Sequence, residues 1–275
     1  MKTILFDGVA LAEHIRTDLA EQIRALGSEP HLAAVCVGDD SGIRSFVKLK
    51  QKAAQSIGIQ FSSYFFEADD EAGARTTLAY LATDDTVDGI FVELPLPESW
   101  DAKSFLSLIP ESKDVDVLSP SAEDSYRRGA SLVLPPAVGA LQYVVRAGSV
   151  DVRSMRAAVV GQGSLVGAPV AQWLERQGAL VDRIDITTKE PEAIARNADI
   201  VVAGVGVPGL INDAWIKEGA LVIDFGFGLK NGKHWGDVDS ASIQNKAGIL
   251  TPVPGGMGPL VITAVLENVL TLAMR

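Results

Sequence analysis

A phenylalanine and three lysines lie in the segment from Arg44 to Ala54, which reads as the start of a helix with Ser45 as one possible N-cap. Phe46 and Lys50 are four residues apart and therefore share one face of that helix. A lysine beside an aromatic ring in a pocket can carry a proton or orient a substrate. By itself, however, the pattern is more typical of a solvated basic helix.

Carboxylates stand at two further places where chemistry is possible. Glu93 lies at the end of the apolar run 89–94, and Asp114 and Asp116 are one residue apart in the segment Lys113-Asp114-Val115-Asp116. In open α/β sheets, ligands bind at the carboxyl ends of the strands, so Glu93 is a candidate site residue. Each of these acids also fits a solvated turn.

Three glycines, Gly161, Gly163 and Gly167, lie between a predicted strand and a predicted helix. Glycines let the backbone approach a ligand, and a helix N-terminus offers N–H groups and partial positive charge to a phosphate. The spacing is one residue longer than the usual dinucleotide fingerprint. The strand before and the helix after it indicate a dinucleotide loop, and a plain tight turn is the alternative.

Two aspartates near the end of the next strand bear on the choice of dinucleotide. An acidic side chain at Asp182 or Asp185 can accept hydrogen bonds from a ribose 2′-OH and repels a 2′-phosphate. This favours NAD over NADP, although either residue could instead be a solvated loop carboxylate. A proline-rich and glycine-rich loop containing Pro254, Gly255 and Gly256 precedes the last helix and can bring bare backbone to a ligand.

The composition limits the functions that these segments can serve. The 275-residue chain has a net charge of −11, which argues against nonspecific binding to nucleic acid or anionic membranes. The three histidines are scattered and no segment has metal-ligand spacing, so we predict no metal site. The apolar run at the N-terminus is too short for a signal peptide, and no stretch approaches the ~20 apolar residues of a membrane span. We therefore expect a cytoplasmic protein.

Strand-like and helix-like patterns alternate along the chain, which predicts βαβ units and an α/β fold. Several strands are continuous apolar runs, as in parallel sheets that are covered on both faces. A domain boundary is expected near Leu134-Pro135-Pro136, because adjacent prolines cannot continue a helix. The predicted strands are 32–37, 59–66, 89–94, 157–160, 180–184, 200–205 and 221–225, and the predicted helices are 10–26, 45–57, 71–81, 138–146, 166–177, 190–195 and 258–275.

Taken in order, these segments resemble the bifunctional methylenetetrahydrofolate dehydrogenase/cyclohydrolase family, often called FolD. The resemblance covers nearly the whole chain. Its strongest pieces are Asp88-Gly89-Ile90, Leu94-Pro95-Leu96-Pro97, Lys113-Asp114-Val115-Asp116, Val222-Ile223-Asp224 and the highly specific run from Thr251 to Pro259.

The resemblance implies two α/β domains around a cleft, the second a Rossmann-like doubly wound parallel sheet. Residues 1–134 would form a folate-binding catalytic domain, with the helix at 258–275 packing back on it, and residues 135–257 would form the dinucleotide-binding domain. Family members are typically homodimers. The activity implied is oxidation of 5,10-methylenetetrahydrofolate to 5,10-methenyltetrahydrofolate with NAD or NADP, followed by hydrolysis to 10-formyltetrahydrofolate.

The same resemblance assigns roles to single residues. Lys50 matches the family's catalytic lysine, Asp116 the aspartate that holds the pterin ring, and Phe46 and Glu93 the positions of a tyrosine and a glutamine. Substrate contacts are expected at Asp116, Pro254, Gly255 and Gly256. Cofactor contacts are expected at Gly161, Gln162, Gly163, Ser164, Gly167, Asp185, Ile186 and Phe227.

Several departures from the family pattern crowd around these sites. Phe46 lacks the tyrosine hydroxyl, and a negative Glu93 beside Lys50 would favour the ammonium form of the lysine, so we predict a weakened cyclohydrolase step. Gln162 replaces an arginine of the cofactor loop and Ile186 a serine, which removes two polar partners of a 2′-phosphate and again favours NAD. Val117 replaces a glycine.

Two other functions stay open at this point. A catalytically inactive homologue could bind folate or a partner, and it would show no thermal shift with either dinucleotide if its cofactor loop has lost function. A related dehydrogenase could act on another small substrate. Asp116 discriminates this function, since replacing Asp116 with alanine should abolish folate binding only in a folate dehydrogenase or in an inactive folate-binding homologue.

Overall fold

The computed structural model describes residues 2–38, 41–230 and 233–275, which divide into two compact units. The lysine unit comprises Glu13–Pro136 and Ile262–Arg275, and the glycine-loop unit comprises Met1–Ala12 and Ala137–Val261. Each unit contains a parallel sheet with helices, so the predicted two-domain α/β fold is confirmed. Among the described residues, no helix is long and apolar enough to cross a membrane.

The elements follow one another in the strand-helix order that the sequence predicts, with additional short elements. They are β1 (Ile4–Leu5), α1 (Gly8–Leu26), β2 (His31–Val37), α2 (Ser41–Ser56), β3 (Gln60–Phe66), α3 (Glu71–Thr83), β4 (Gly89–Val92), α4 (Ala102–Leu106), a 3₁₀ turn (Glu111–Lys113), α5 (Pro120–Arg128), α6 (Pro136–Ala147), β5 (Arg156–Val160), α7 (Gly167–Arg176), β6 (Leu180–Ile184), α8 (Pro191–Ala195), β7 (Ile200–Ala203), a 3₁₀ turn (Asp213–Trp215), β8 (Leu221–Asp224), β9 (Gly228–Lys230), β10 (Lys233–Trp235), α9 (Ser240–Ile243), β11 (Ile249–Leu250) and α10 (Met257–Ala273).

The lysine unit has a three-stranded parallel sheet in the order β3-β2-β4. Its central strand β2 is a continuous apolar run and is buried from Leu32 to Val37, as expected for a strand covered on both faces. The last helix contributes to this unit through Asn268, whose side chain donates to the carbonyls of Val115 and Leu134, each at 2.8 Å. These bonds hold the loop that carries Asp116.

Two local expectations were wrong. Helix α2 begins at Ser41, so Ser45 lies inside the helix and is not its N-cap. Residues 120–128, which lie outside the predicted helices, form α5, because Ser119 caps the backbone N–H of Ala122, Pro120 occupies the first turn, and Gly129 ends the helix in the left-handed conformation.

The glycine-loop unit has a six-stranded parallel sheet in the order β1-β11-β8-β7-β5-β6. After the edge strand β1, the chain enters the sheet again at β5, adds β6 on one side and then crosses to β7 on the other. The topological switch point therefore lies between β5 and β7, and in doubly wound sheets ligands bind beside the strand ends at that point. Residues 2–12 cluster with this unit, in which β1 pairs with β11.

Candidate active site and dinucleotide loop

An ion pair joins α2 to the end of β4 in the lysine unit. The Lys50 ammonium donates to Glu93 Oε2 at 2.7 Å, and only 14% and 13% of the two side chains is exposed. Glu93 is fixed at the strand end because its backbone N–H bonds to the carbonyl of Val35. The sequence left the contact between the two side chains undecided, and the structure places them in direct hydrogen-bond contact.

An aromatic ring supports the same ammonium from a second side. Lys50 Nζ lies 4.1 Å from the centroid of the Phe91 ring, within the range of a cation–π interaction. Phe91 and Glu93 are two residues apart on one strand and its continuation, so their side chains point to the same face. The sequence reasoning missed Phe91, although the alternation of side chains along the strand could have identified it.

Asp116 lies in a loop whose backbone is held by the side chain of Asp114. The buried Asp114 carboxylate accepts the backbone N–H groups of Asp116, Leu118 and Ser119. Burial raises the pKa of Asp116 to about 7, Lys50 opposes this shift, and the charges of Asp114 and Glu93 add to it. Asp116 thus belongs electrostatically to the same site as Lys50 and Glu93.

Two other predicted positions flank this cluster. Phe46 is half-buried and lies one helical turn before Lys50 on α2. Val117 has a φ of +58° although it is β-branched, a conformation that is uncommon for such a residue. The left-handed turn after Asp116 is therefore present here without the glycine.

The glycine loop in the other unit is shaped by close backbone contacts. Gly161 has a φ of +94°, and a Cβ at Gly167 would lie 1.8 Å from the Gly161 carbonyl oxygen. A Cβ at Gly161 would lie 2.6 Å from the carbonyl oxygen of Gly204, which follows β7. These glycines allow the loops after β5 and β7 to meet at the switch point, while a Cβ at Gly163 would meet no atom within 4 Å. The loop leads directly into the N-terminus of α7.

Gln162 and Ser164 occupy the same loop. The Gln162 amide donates to the carbonyls of Val159 and Gly161, at 2.9 and 2.8 Å, and its oxygen accepts from Arg183 at 3.3 Å. Ser164 is exposed. Gln162 is thus held by its own loop and by the neighbouring strand β6.

The structure separates the two aspartates that the sequence offered for the ribose. Asp182 pairs with Arg156 at 2.8 Å, and Arg156 is the first residue of β5, away from the strand ends that carry the glycine loop. Asp185 follows the end of β6, where its Oδ1 accepts from the backbone and hydroxyl of Thr187 and from the hydroxyl of Thr188. These hydrogen bonds lower the pKa of Asp185 and keep it ionised.

Exposed apolar side chains follow four neighbouring strands of this sheet. Leu165 comes after β5, Ile186 after β6, Val207 after β7 and Phe227 after β8, and each is about half exposed or more. All four lie in segments that follow the carboxyl ends of these strands. Leu165 and Val207 were missed, although their signal was an apolar residue within a glycine-containing loop directly after a strand.

Two buried aspartates fix the loops at this edge. Asp224 accepts the backbone N–H groups of Gly226, Asp237 and Val238, and Asp237 accepts those of Val205 and Gly206. Burial raises the pKa of Asp224 to about 6. These side chains position the loops after β7 and β8 and are held by backbone donors.

The loop at Pro254, Gly255 and Gly256 also lies in the glycine-loop unit. Gly255 has a φ of +97°, and a Cβ at Gly8 would lie 1.9 Å from the Gly256 carbonyl oxygen. The turn is therefore packed tightly against the start of α1. Within the described residues, no group of three or more histidine, cysteine or acidic side chains has the arrangement of a metal site.

Comparison with known proteins identifies the family. Residues 6–116 match the catalytic domain of tetrahydrofolate dehydrogenase/cyclohydrolase, and residues 135–275 match the NAD(P)-binding domain of the same family. The chain belongs to the tetrahydrofolate dehydrogenase/cyclohydrolase family. The predicted family, the enzyme class and the use of a nicotinamide dinucleotide are therefore confirmed, and the family supports a folate substrate.

Individual relatives agree with this assignment over the full length. The chain is 39% identical to the bifunctional protein FolD of Geobacillus kaustophilus over 280 residues, which covers 100% of this chain and 99% of the relative. Among solved structures, the bifunctional enzyme FolD of Campylobacter jejuni matches with a TM-score of 0.94 and 33% identity, covering 99% of both chains. The Trypanosoma brucei enzyme, complexed with NADP and an inhibitor, matches with a TM-score of 0.95 and 32% identity, covering 100% of this chain and 98% of that one.

Proposed function

We propose that this enzyme oxidises 5,10-methylenetetrahydrofolate to the methenyl cation with NAD as the preferred cofactor, and that it hydrolyses the cation slowly. The observation that carries the proposal is the Lys50–Glu93 ion pair beside Asp116 in the lysine unit. In bifunctional relatives we expect a glutamine at the position of Glu93. A neutral glutamine would leave the lysine charge uncompensated in those relatives, whereas Glu93 compensates it in this enzyme.

The glycine loop fits a dinucleotide. Gly161 and Gly167 permit a backbone turn that any side chain would block, and the turn ends at the N-terminus of a ten-residue helix. Four exposed apolar residues line the same strand edge. The bound nicotinamide supplies a hydride acceptor, and the role left to the chain is to hold the reacting carbons in position.

The acidic side chain at position 116 suits the pterin ring. Its two oxygens can accept hydrogen bonds from the amino and ring N–H groups of the substrate. Lys50 would orient the folate from the adjacent position, and Pro254, Gly255 and Gly256 would contribute backbone contacts. The substrate loses a hydride from its one-carbon bridge and becomes a cation, so a paired Lys50 places less net positive charge beside the product.

The second step requires water to attack the methenyl carbon, with loss of a proton and opening of the ring. A lysine that serves this step must give up or share its proton. Here the Lys50 ammonium donates a hydrogen bond to Glu93 and lies over the ring of Phe91. Phe46 offers no hydroxyl that could relay a proton. Both features slow hydrolysis and leave hydride transfer intact.

The preference for NAD is supported at the adenosine end of the loop. Asp185 is ionised at the end of β6 and can accept a hydrogen bond from the ribose, whereas a 2′-phosphate would be repelled. Gln162 is a neutral amide that is already bonded to its own loop.

An absorbance assay with purified protein tests the proposal. Methylenetetrahydrofolate is supplied with NAD or NADP, and acid quenching separates the methenyl product from reduced cofactor. The expected result is turnover with NAD and accumulation of the methenyl compound. Turnover with no accumulation beyond uncatalysed hydrolysis would show that the second step is intact, and no turnover with either cofactor would favour an inactive folate-binding homologue.

A homodimer and a cytoplasmic location complete the proposal. The dimer is what the family resemblance implies, and the cytoplasmic location is supported by full-length bacterial relatives. Sedimentation of the purified protein at several concentrations tests the dimer, for which a single species of twice the chain mass is expected.

A further inference from the structure

Arg183 lies where the glycine loop meets the neighbouring strand. It is on β6, and its Nη1 donates to the side-chain oxygen of Gln162 at 3.3 Å. Gln162 directly follows the first glycine of the loop. The Arg183 guanidinium on β6 is therefore hydrogen-bonded to the neutral amide side chain of Gln162 in the glycine loop.

A carboxylate holds the other side of this guanidinium. Glu175 on α7 accepts from Arg183 through both oxygens, from Nε at 3.0 Å and from Nη2 at 3.0 Å. This paired geometry is the strong form of an arginine–carboxylate interaction. Glu175 therefore balances the charge of Arg183. All three guanidinium nitrogens donate hydrogen bonds, Nε and Nη2 to Glu175 and Nη1 to Gln162.

We infer that the Arg183–Glu175 pair determines cofactor specificity, by keeping a cation next to the adenosine ribose site unavailable to a 2′-phosphate. Arginine is well suited to bind phosphate, so an unpaired Arg183 would favour NADP. With Glu175 in place, a 2′-phosphate meets a compensated guanidinium and the ionised Asp185. Glu175 acts through Arg183 and is a positioning residue for this purpose.

The inference rests on the proposed use of a dinucleotide, and its test measures binding without turnover. Isothermal titration calorimetry gives the Kd of NAD and of NADP for wild type, E175Q, R183Q and the double variant. We expect E175Q to tighten NADP about 5- to 10-fold relative to NAD, since a charged hydrogen bond to phosphate becomes possible. In the R183Q background, the same E175Q change is expected to leave the ratio unaltered.

The variant D182N is the matched control. It breaks a second exposed ion pair of the same strand, which involves Arg156 and lies away from the loop, so the ratio of the two Kd values should not change. The Kd of NAD reports whether each variant is folded. The inference would be overturned, and the proposed function left standing, if E175Q did not change the ratio of the Kd values for NADP and NAD. The same holds if E175Q changed this ratio equally in wild type and in the R183Q background. Failure of wild type to bind either dinucleotide would overturn both the inference and the proposed function.

Discussion

Two ion pairs in this enzyme each join a cationic side chain to a glutamate, a lysine in one and an arginine in the other, and they lie in different surroundings. Lys50 and Glu93 are each less than 15% exposed, whereas Arg183 and Glu175 are 39% and 44% exposed. A buried pair is held together by the cost of leaving one charge alone in a medium of low polarity, and an exposed pair is weakened by water and salt. The first pair therefore couples function to stability, while the second can alter ligand choice with little effect on folding.

The largest effect is expected where the buried pair is broken. K50M leaves the Glu93 carboxylate buried without its partner, so the free energy of unfolding should fall by about 3 kcal/mol. Urea denaturation measures this loss, and dehydrogenase turnover should be lost as well. The double variant K50M/E93M removes both charges and should recover most of the stability. If K50M were as stable as wild type, the Lys50–Glu93 pair would contribute as little to the free energy of unfolding as an exposed ion pair does.

Restoring the glutamine tests the functional side of the buried pair. E93Q removes the opposing charge, and we expect the hydrolysis of the methenyl compound to rise about 10-fold or more, since acid–base catalysis typically contributes at least this much. Single-turnover absorbance of the methenyl species measures the rate. F46Y should give a smaller gain, and E93Q/F46Y the largest. If hydrolysis by E93Q equals that of wild type, Glu93 does not limit the second step.

The pH dependence of folate binding tests whether Asp116 shares this environment. Its pKa is raised to about 7, chiefly by burial, so the carboxylate form is lost as the pH falls through that value. The protonated form offers fewer acceptors to the pterin, and the Kd of tetrahydrofolate should rise about tenfold per pH unit below the midpoint. E93Q removes one of the charges that raise this pKa, and the midpoint should move to lower pH. A midpoint that E93Q leaves in place would contradict the coupling.

The smallest effect is expected at the exposed pair. R183Q and E175Q should each change the free energy of unfolding by less than about 1 kcal/mol, because an exposed ion pair contributes little. Urea denaturation under the conditions used for K50M gives a direct comparison. A loss as large as that of K50M would show that Arg183 has a structural role beyond the loop.

Much of the fold could be predicted from local patterns. Continuous apolar runs located β2, β5, β7 and β8 to within two residues at either end, and the strand-helix alternation located β6 at its observed bounds although it contains Asp182 and Arg183. The elements that were missed are short or polar, such as α5, which depends on a serine cap, a proline in the first turn and a terminal glycine. The pairing of β1 with β11 joins two ends of the chain, and no local pattern carries that information.

The candidate site divides in a similar way. The sequence by itself determined which chemical groups are present: a lysine, a glutamate and an aspartate in recognisable motifs, and a glycine loop between a strand and a helix. Only the tertiary structure decided which of them meet. It paired Lys50 with Glu93 over the Phe91 ring, turned Asp182 away from the loop and placed Arg183 between Gln162 and Glu175. The physical reason is that a motif fixes the chemistry of a side chain, whereas its charge state and partners depend on burial and on neighbours that are distant in sequence.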